Sequence, residues 1–354
     1  LAGRFGLHGR RGPGIRPGWT GVIMVVDKVL GRLAAGLVLV VGLAGAERAQ
    51  AQSPPVAPVT VWSVPDIDHL PDDENGRLVR YGRSLVAATY AHIGPEVADA
   101  SRRYAGNNLA CRNCHLDEGR KKFGLLLVGA FVDYPRYSTR RGEEVSIEDR
   151  VNSCMTRSMN GRPLPAEGRE MQALVAYIRV LSNGLPKDAA VAGQGLQAMA
   201  ELDRPADPAR GAEVYRANCA LCHGPGGEGV RRGVRGDALG YATPPLWGED
   251  SFNDGAGMNR LVTIANFVHD NMPNGTSWVM PRLAPEDAWD VAAFVVSQPR
   301  PRKADLAADF PDKLDKPVDT PYGPYADGFS ESQHRYGPFA PIRAEVARLR
   351  AQSR

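Results

Sequence analysis

The chain has 354 residues, 43% of them hydrophobic, so it is long enough for two domains that each bury a core. Its formal net charge is +3, but the first 51 residues hold seven Lys/Arg and two Asp/Glu, which leaves 36 basic and 38 acidic residues in the rest. This balance argues against a basic nucleic-acid-binding protein, and we expect no nucleic-acid partner.

The first 51 residues predict an export signal rather than part of the fold. Lys28 and Arg32 precede an apolar run over 33–46, and Ala49-Gln50-Ala51 then forms an Ala-x-Ala cleavage site. The apolar run is shorter than the roughly 20 residues that span a bilayer. We therefore expect cleavage before Gln52, an exported mature protein and no stable membrane insertion after cleavage. Residues 1–23 are given no role.

Two similar units follow along the chain. Apolar periodicity predicts helices over 76–90 and 167–181, on either side of the motif Cys111-Arg-Asn-Cys114-His115. The same order repeats with a helix over 207–218, the motif Cys219-Ala-Leu-Cys222-His223 and a helix over 285–296.

Small c-type cytochromes are built in this order, with a leading helix, a Cys-x-x-Cys-His haem motif and a closing helix. The predicted fold class is therefore all-α, with two cytochrome c-type haem domains in tandem, a linker between them and an extended Pro-rich C-terminal tail. The predicted layout is a leader and signal at 1–51, an N-terminal domain at 52–183, a linker at 184–206, a C-terminal domain at 207–298 and the tail at 299–354. A short helix over 341–351 is expected near the end of the tail.

Both Cys-x-x-Cys-His motifs predict covalent haem c attachment. Two thiols on one helical turn can bond the two vinyl groups of a haem, and the following His can then ligate the iron. A zinc site would need further paired ligands nearby, and a thioredoxin-like redox pair has no need of His. We therefore expect two haem c groups: Cys111, Cys114 and His115 hold the first, and Cys219, Cys222 and His223 hold the second.

The fifth cysteine, Cys154, lies in a segment with helix-start signals. Ser146 and Asp149 form a capping-box pattern, which places Arg150, Cys154 and Ser158 on one helix face, with Arg157 beside them. Spacing leaves open whether Cys154, Met155 or Met159 is the sixth ligand of the first iron, or whether Cys154 is a buried structural thiol. For the second iron, Met258, Met272, Met280 and His269 all remain candidates.

The segment 134–165, which contains Cys-Met-Thr-Arg-Ser-Met-Asn-Gly, resembles the active-site region of di-haem thiosulfate dehydrogenases. Further matches lie at 246–258, 266–275 and 316–329. The resemblance implies a periplasmic enzyme that couples two thiosulfates into tetrathionate. It also implies that electrons pass from the first haem to the second, and then to a soluble cytochrome c or a high-potential iron–sulfur protein.

The same resemblance implies roles for individual residues. His115 and Cys154 would ligate the first iron, and His223 and Met272 the second. The catalytic set would be Cys154, Arg140, Arg150 and Ser158, with Arg141 as the alternative to Arg140. Some family members have Lys before the second methionine ligand and can exchange the two ligands, whereas this chain has Asn271 there.

Three other interpretations compete with this one. The first is the reverse reaction, tetrathionate reduction, since the same anions would bind. The second is a di-haem electron carrier without a substrate, in which Cys154 is structural and the arginines pair with Glu143, Glu144, Glu148 and Asp149. The third is a relative of the haem subunits of the sulfur-oxidising multi-enzyme system.

Overall fold

The computed structural model describes residues 62–63 and 65–353, so the leader and the predicted signal lie outside the described residues. Within the described part, no helix is long and apolar enough to cross a bilayer. The helices are α1 Glu74–Ala87, α2 Thr89–Ile93, α3 Leu116–Gly119, α4 Ile147–Arg157, α5 Arg169–Leu181, α6 Pro208–Asn218, α7 Ala220–His223, α8 Leu261–Asn271, α9 Pro285–Ser297, α10 Glu331–Tyr336 and α11 Ala340–Gln352. Single 3₁₀ turns occupy Ala100–Arg102, Cys111–Asn113, Gly257–Asn259, Leu306–Ala308 and Lys313–Asp315.

The predicted helices that flank each motif are confirmed, with one difference. The helix expected over 76–90 ends at Ala87, because Ala88 leaves the helical region with φ −145° and ψ 50°, and α2 then starts at Thr89. In the second unit the Asp207 carboxylate accepts hydrogen bonds from the amides of Ala209 and Arg210, which fixes the start of α6.

Each unit is closed by a helix pair, α1 on α5 and α6 on α9. In each pair, a glycine of the leading helix permits close approach of the two backbones. A Cβ on Gly82 would lie 1.9 Å from the carbonyl oxygen of Ala173, and one on Gly211 would lie 1.9 Å from that of Asp290. The two units therefore share the same close backbone contact between leading and closing helix.

Two separate hydrophobic cores fill these units. The first is built around the fully buried Leu85, Met171 and Tyr177, and the second around Tyr215 and Trp289. Two cores of this kind agree with the expected tandem arrangement of cytochrome c-type domains.

The all-α prediction omits two small antiparallel hairpins. In the first, β1 Arg136–Ser138 pairs with β2 Glu143–Val145, and in the second, β3 Val230–Arg231 pairs with β4 Tyr241–Thr243. Strands of two or three residues are too short for an alternating pattern to reveal them.

The segment 184–206 and the tail both pack on the helical units. The amides of Gln197 and Met199 donate to the side chains of Asp270 and Asn266 on α8, each at 3.0 Å. The tail contains α10 and α11, and α11 confirms the helix expected over 341–351. Its Phe310 amide donates to the carbonyl of Arg140 at 2.8 Å, so the tail returns to the first unit.

Candidate active site and haem sites

A largely apolar cavity of about 320 Å³ lies beside the first motif. Cys111, Cys114 and His115 line it together with Cys154. Met155 and Met159, 2% and 3% exposed, line the same cavity, so both methionines that compete with Cys154 as ligands remain near the site. The donor set and the apolar walls fit a haem held through this motif.

Hydrogen bonds to the backbone orient the first motif. The buried Thr89 hydroxyl accepts from the Cys111 amide at 3.1 Å, and Asn113 Oδ1 accepts from the Ala110 amide at 2.7 Å. His115 Nδ1 lies 2.6 Å from the carbonyl oxygen of Leu125. Since a carbonyl can only accept, Nδ1 carries the proton and Nε2 is left free to ligate a metal.

One face of α4 forms a wall of this cavity. The predicted capping box is present, since Ser146 Oγ accepts from the Asp149 amide and the Asp149 carboxylate accepts from the Ser146 amide. Arg150, Cys154 and Ser158 then follow at successive turns, and all three line the cavity. Helical periodicity therefore brings together the residues that the sequence placed on one face.

Arg150 Nη1 donates to Cys154 Sγ at 3.2 Å. Burial alone would raise the pKa of the Cys154 thiol, but the charge of Arg150 and the nearby His115 outweigh it and lower this pKa to about 7. Burial raises the pKa of Cys111 to about 11 and that of Cys114 to about 12. Cys154 is thus the thiol of this cavity that most readily becomes a thiolate.

Arg140 and Arg141 both lie in the turn between β1 and β2, but their side chains have different partners. Arg141 is exposed and pairs with Glu143 and Asp149, at 2.6 and 2.8 Å. Arg140 does not line the cavity, but its side chain is turned inward. Its Nη1 donates to the Gly255 carbonyl at 3.0 Å, and its charge contributes to the lowered pKa of Cys154.

The second motif has a comparable arrangement. His223 Nδ1 donates to the Pro244 carbonyl at 2.9 Å, which again leaves Nε2 for a metal. Met272 follows the last residue of α8 as its C-cap and packs, partly buried, against the second core, whereas Met280 is 74% exposed and Met258 lines the first cavity. His269 Nδ1 lies 3.3 Å from Asp270 Oδ1. In the part of the chain described, no group of three or more His, Cys, Asp or Glu is arranged to hold a metal ion on its own.

Comparisons with known proteins agree with this architecture. The family model described as SoxA/TsdA, cytochrome c domain, matches residues 101–186, and the cytochrome c model matches residues 208–299. The thiosulfate dehydrogenase of Allochromatium vinosum is 39% identical over 274 residues, which is 76% of this chain and 93% of that relative. The chain belongs to the thiosulfate dehydrogenase family.

Two further family members extend the comparison. The thiosulfate dehydrogenase of Thiomonas intermedia is 39% identical over 241 residues, which is 68% of this chain and 72% of that protein. The solved structure of the thiosulfate dehydrogenase (TsdBA) from Marichromatium purpuratum matches with a TM-score of 0.62 and 32% identity. That match covers 78% of this chain and 54% of the solved chain. The two cytochrome c domains matched in the present chain imply two covalently bound haem c groups, as expected.

Several residues that line the cavity beside the first motif were not predicted from the sequence as site residues. Arg136 lines it, with its guanidinium 5.0 Å from the ring centre of Tyr134. Gln194, from the segment expected to be a linker, and Phe252, from the second unit, line it as well. Arg136 and Phe252 lie in the segments 134–165 and 246–258 that carry the family resemblance, but no motif or spacing marks these two residues within them, and Gln194 lies in a segment without a motif.

Proposed function

We propose that this protein is a periplasmic thiosulfate dehydrogenase that couples two thiosulfates into tetrathionate at the Cys154 cavity. The observation that carries the proposal is the contact of Arg150 with Cys154 inside the cavity of the first motif. The family relatives carry the same activity in their names.

The reaction balances without a proton. Each thiosulfate loses one electron from its outer sulfur, a sulfur–sulfur bond forms between the two outer sulfurs, and tetrathionate leaves with two negative charges. When bound, each haem would supply a one-electron acceptor. The first would receive electrons from the substrate sulfurs, and the second would pass them on to an external acceptor. The proposed acceptor is a soluble cytochrome c or a high-potential iron–sulfur protein.

Positive charge is the main requirement of this chemistry. Two thiosulfate dianions about 5 Å apart repel each other by on the order of 10 kcal/mol at an effective dielectric constant near 20. We assign Arg150 to bind and orient sulfonate oxygens, since guanidinium groups donate paired hydrogen bonds to such anions. Ser158, one turn beyond Cys154, is assigned a polar contact, and Arg140 supplies charge from the adjacent turn.

The proposal also includes the ligand roles that the family resemblance implies. His115 and Cys154 are proposed to hold the first iron, and His223 and Met272 the second. Cys154 is further proposed to take part in turnover, either by becoming free of the iron that it would hold or by bonding a substrate sulfur, rather than serving only as a ligand. If its thiolate bonded the outer sulfur of one thiosulfate, two electrons would be released, one for each haem when bound, and attack by the second thiosulfate would then release tetrathionate and restore the thiolate. Met280 is disfavoured because its side chain is 74% exposed, and Met258 because it lines the first cavity.

The electron-carrier alternative predicts arginines engaged with carboxylates. Arg141 fits that description, but among the described residues no carboxylate lies within 4.0 Å of the Arg150 guanidinium, whose contact is with Cys154. This difference favours an anion-binding site over a solvated mixed-charge surface.

The test uses purified protein with both haems attached. Thiosulfate is added while the haem absorption bands are recorded, and tetrathionate is then assayed with an excess of a one-electron acceptor. We expect haem reduction and one tetrathionate for every two thiosulfates consumed. A protein that stays oxidised with thiosulfate, but whose chemically reduced haems are reoxidised by tetrathionate, would instead be a reductase, and one that responds to neither anion would be a carrier.

A further inference from the structure

The Pro-rich tail places a buried carboxylate next to two arginines of the first unit. Asp309, 8% exposed, follows the 3₁₀ turn Leu306–Ala308. Its Oδ1 accepts from Arg157 Nη2 at 2.7 Å, and its Oδ2 lies 3.6 Å from Arg140 Nη1. Tyr322, also in the tail, donates its hydroxyl to Oδ2 at 2.7 Å. One carboxylate thus joins three side chains.

The same two arginines are held from another direction by the second unit. Arg140 and Arg157 each donate from Nη1 to the carbonyl oxygen of Gly255, both at 3.0 Å. A Cβ on Gly255 would lie 2.8 Å from Arg157 Nη1, so the approach is close. Phe252 and Met258, on either side of Gly255 in the chain, line the Cys154 cavity. Ser158, which follows Arg157 in the chain, lines it as well, and the charge of Arg140 contributes to the lowered pKa of Cys154, so the arginine pair lies close to that cavity.

Two guanidinium groups that share one acceptor repel each other. Burial lowers the pKa of Arg140, and the charge of Arg157 acts in the same direction, while Asp309 opposes both. A carboxylate next to both groups offsets their repulsion and restricts their orientation. Two arginines with one aspartate still leave a net positive charge, which suits a neighbouring anion site.

We propose that Asp309 is a positioning residue for the thiosulfate reaction, which holds Arg140 and Arg157 beside the Cys154 cavity, and that Tyr322 orients Asp309. The tail is then part of the active site rather than only a wrapping segment. This inference rests on the proposed function, because it assigns the arginine pair to the binding of the substrate anions.

The test compares three variants of the haem-loaded protein. Asp309→Asn keeps the shape of the side chain but removes its charge, so the cluster becomes more positive while the arginines lose their orienting partner. We expect kcat to fall about tenfold to a hundredfold, while KM for thiosulfate stays unchanged or falls. Tyr322→Phe should lower kcat in the same direction by less than about tenfold.

Asp312→Asn is the matched control, since Asp312 is exposed and its carboxylate accepts from the amide of Leu314 within the tail. It should keep the wild-type kcat and KM. Haem spectra and thermal melting are recorded for every variant, so that rates refer to folded, haem-loaded protein. If Asp309 positions the arginines, Asp309→Asn lowers kcat without raising KM. If Asp309 only anchors the tail, this variant has a lower melting temperature, and kcat and KM of the folded fraction are unchanged.

The experiment separates failure of the proposed function from failure of the positioning role. If the wild type shows no thiosulfate-dependent haem reduction, the proposed function fails and this inference fails with it. If the wild type is active but Asp309→Asn matches Asp312→Asn in kcat and KM, or raises KM without lowering kcat, the positioning role alone is overturned. If Asp309→Asn does not fold, Tyr322→Phe decides, and wild-type kinetics in that variant would overturn the inference.

Discussion

Arg150 Nη1 lies 3.2 Å from Cys154 Sγ, one helical turn further along α4, and both side chains line the cavity of the first haem motif. A cation that contacts a thiol in this way stabilises its thiolate form. The pair therefore combines an anion-binding group with a soft metal ligand or nucleophile at one position.

Replacement of Cys154 tests whether the thiol takes part in turnover. Cys154→Ala should lower kcat for thiosulfate oxidation by at least about a hundredfold, because the proposed ligand and reactant is lost. The haem should stay attached, since Cys111 and Cys114 are unchanged, but its absorption and magnetic-resonance spectra should lose thiolate character. Ser153→Ala, at the preceding position on α4, is the control. Near-wild-type tetrathionate formation by Cys154→Ala with haem retained would contradict the proposal.

Two arginines with different environments permit a charge-matched comparison. Arg150→Gln should lower kcat/KM for thiosulfate about tenfold to a hundredfold, because a charge-assisted hydrogen bond to the substrate is lost. Arg141→Gln removes the same charge from a residue that does not line the cavity and pairs with Glu143 and Asp149, and should leave kcat/KM within about twofold. Steady-state kinetics at fixed ionic strength measure both, and equal losses in the two variants would mean that only general charge matters.

The sequence predicts the local part of this site well. The cysteine motifs, the capping box and the helical spacing of Arg150, Cys154 and Ser158 depend on residues close in the chain, and the structure has the same arrangement. The positions of Arg140 and Arg157 depend on residues 115 and 152 positions away, Gly255 and Asp309 respectively. Long-range contacts of this kind leave no periodic pattern, so the contribution of the tail became evident only in the folded chain.

The tail also contains a buried lysine with an unusual environment. Lys316, 6% exposed, donates from Nζ to the Pro324 carbonyl at 2.9 Å, and Nζ lies 4.8 and 5.0 Å from the ring centres of Tyr322 and Tyr325. Burial lowers the pKa of Lys316 to about 8, and the charge of Lys313 acts in the same direction.

This lowered pKa predicts the pH dependence of stability. From about pH 8 to about pH 10.4 the unfolded chain retains a proton that folded Lys316 has lost, so the free energy of unfolding should rise with pH over this range. Lys316→Met should remove that rise, whereas the exposed control Lys187→Met should keep it. Denaturant midpoints measured by circular dichroism at about pH 7.5, 8.5 and 9.5 give the comparison. Parallel curves for wild type and Lys316→Met would contradict the assignment.

The second haem offers a test between two methionines that both precede proline. Met272 is the C-cap of α8 and packs against the second core, whereas Met280 is 74% exposed. A partly buried side chain at a fixed helix end can hold a ligand geometry that a largely exposed side chain cannot. We therefore expect Met272→Ala to abolish the methionine-to-iron absorption band of the second haem and to shift its reduction potential, while Met280→Ala leaves both unchanged.

Kinetics then relate this ligand to the proposed electron path. If electrons leave through the second haem, Met272→Ala should slow turnover with an external acceptor but leave the reduction of the first haem by thiosulfate, measured in a stopped-flow mixing experiment, close to the wild-type rate. Thiosulfate binding and the Cys154 cavity are untouched by the substitution, so the two rates should separate. If Met272→Ala slowed both steps equally, or if Met280→Ala removed the absorption band instead, the assignment of Met272 as the ligand of an exit haem would be wrong.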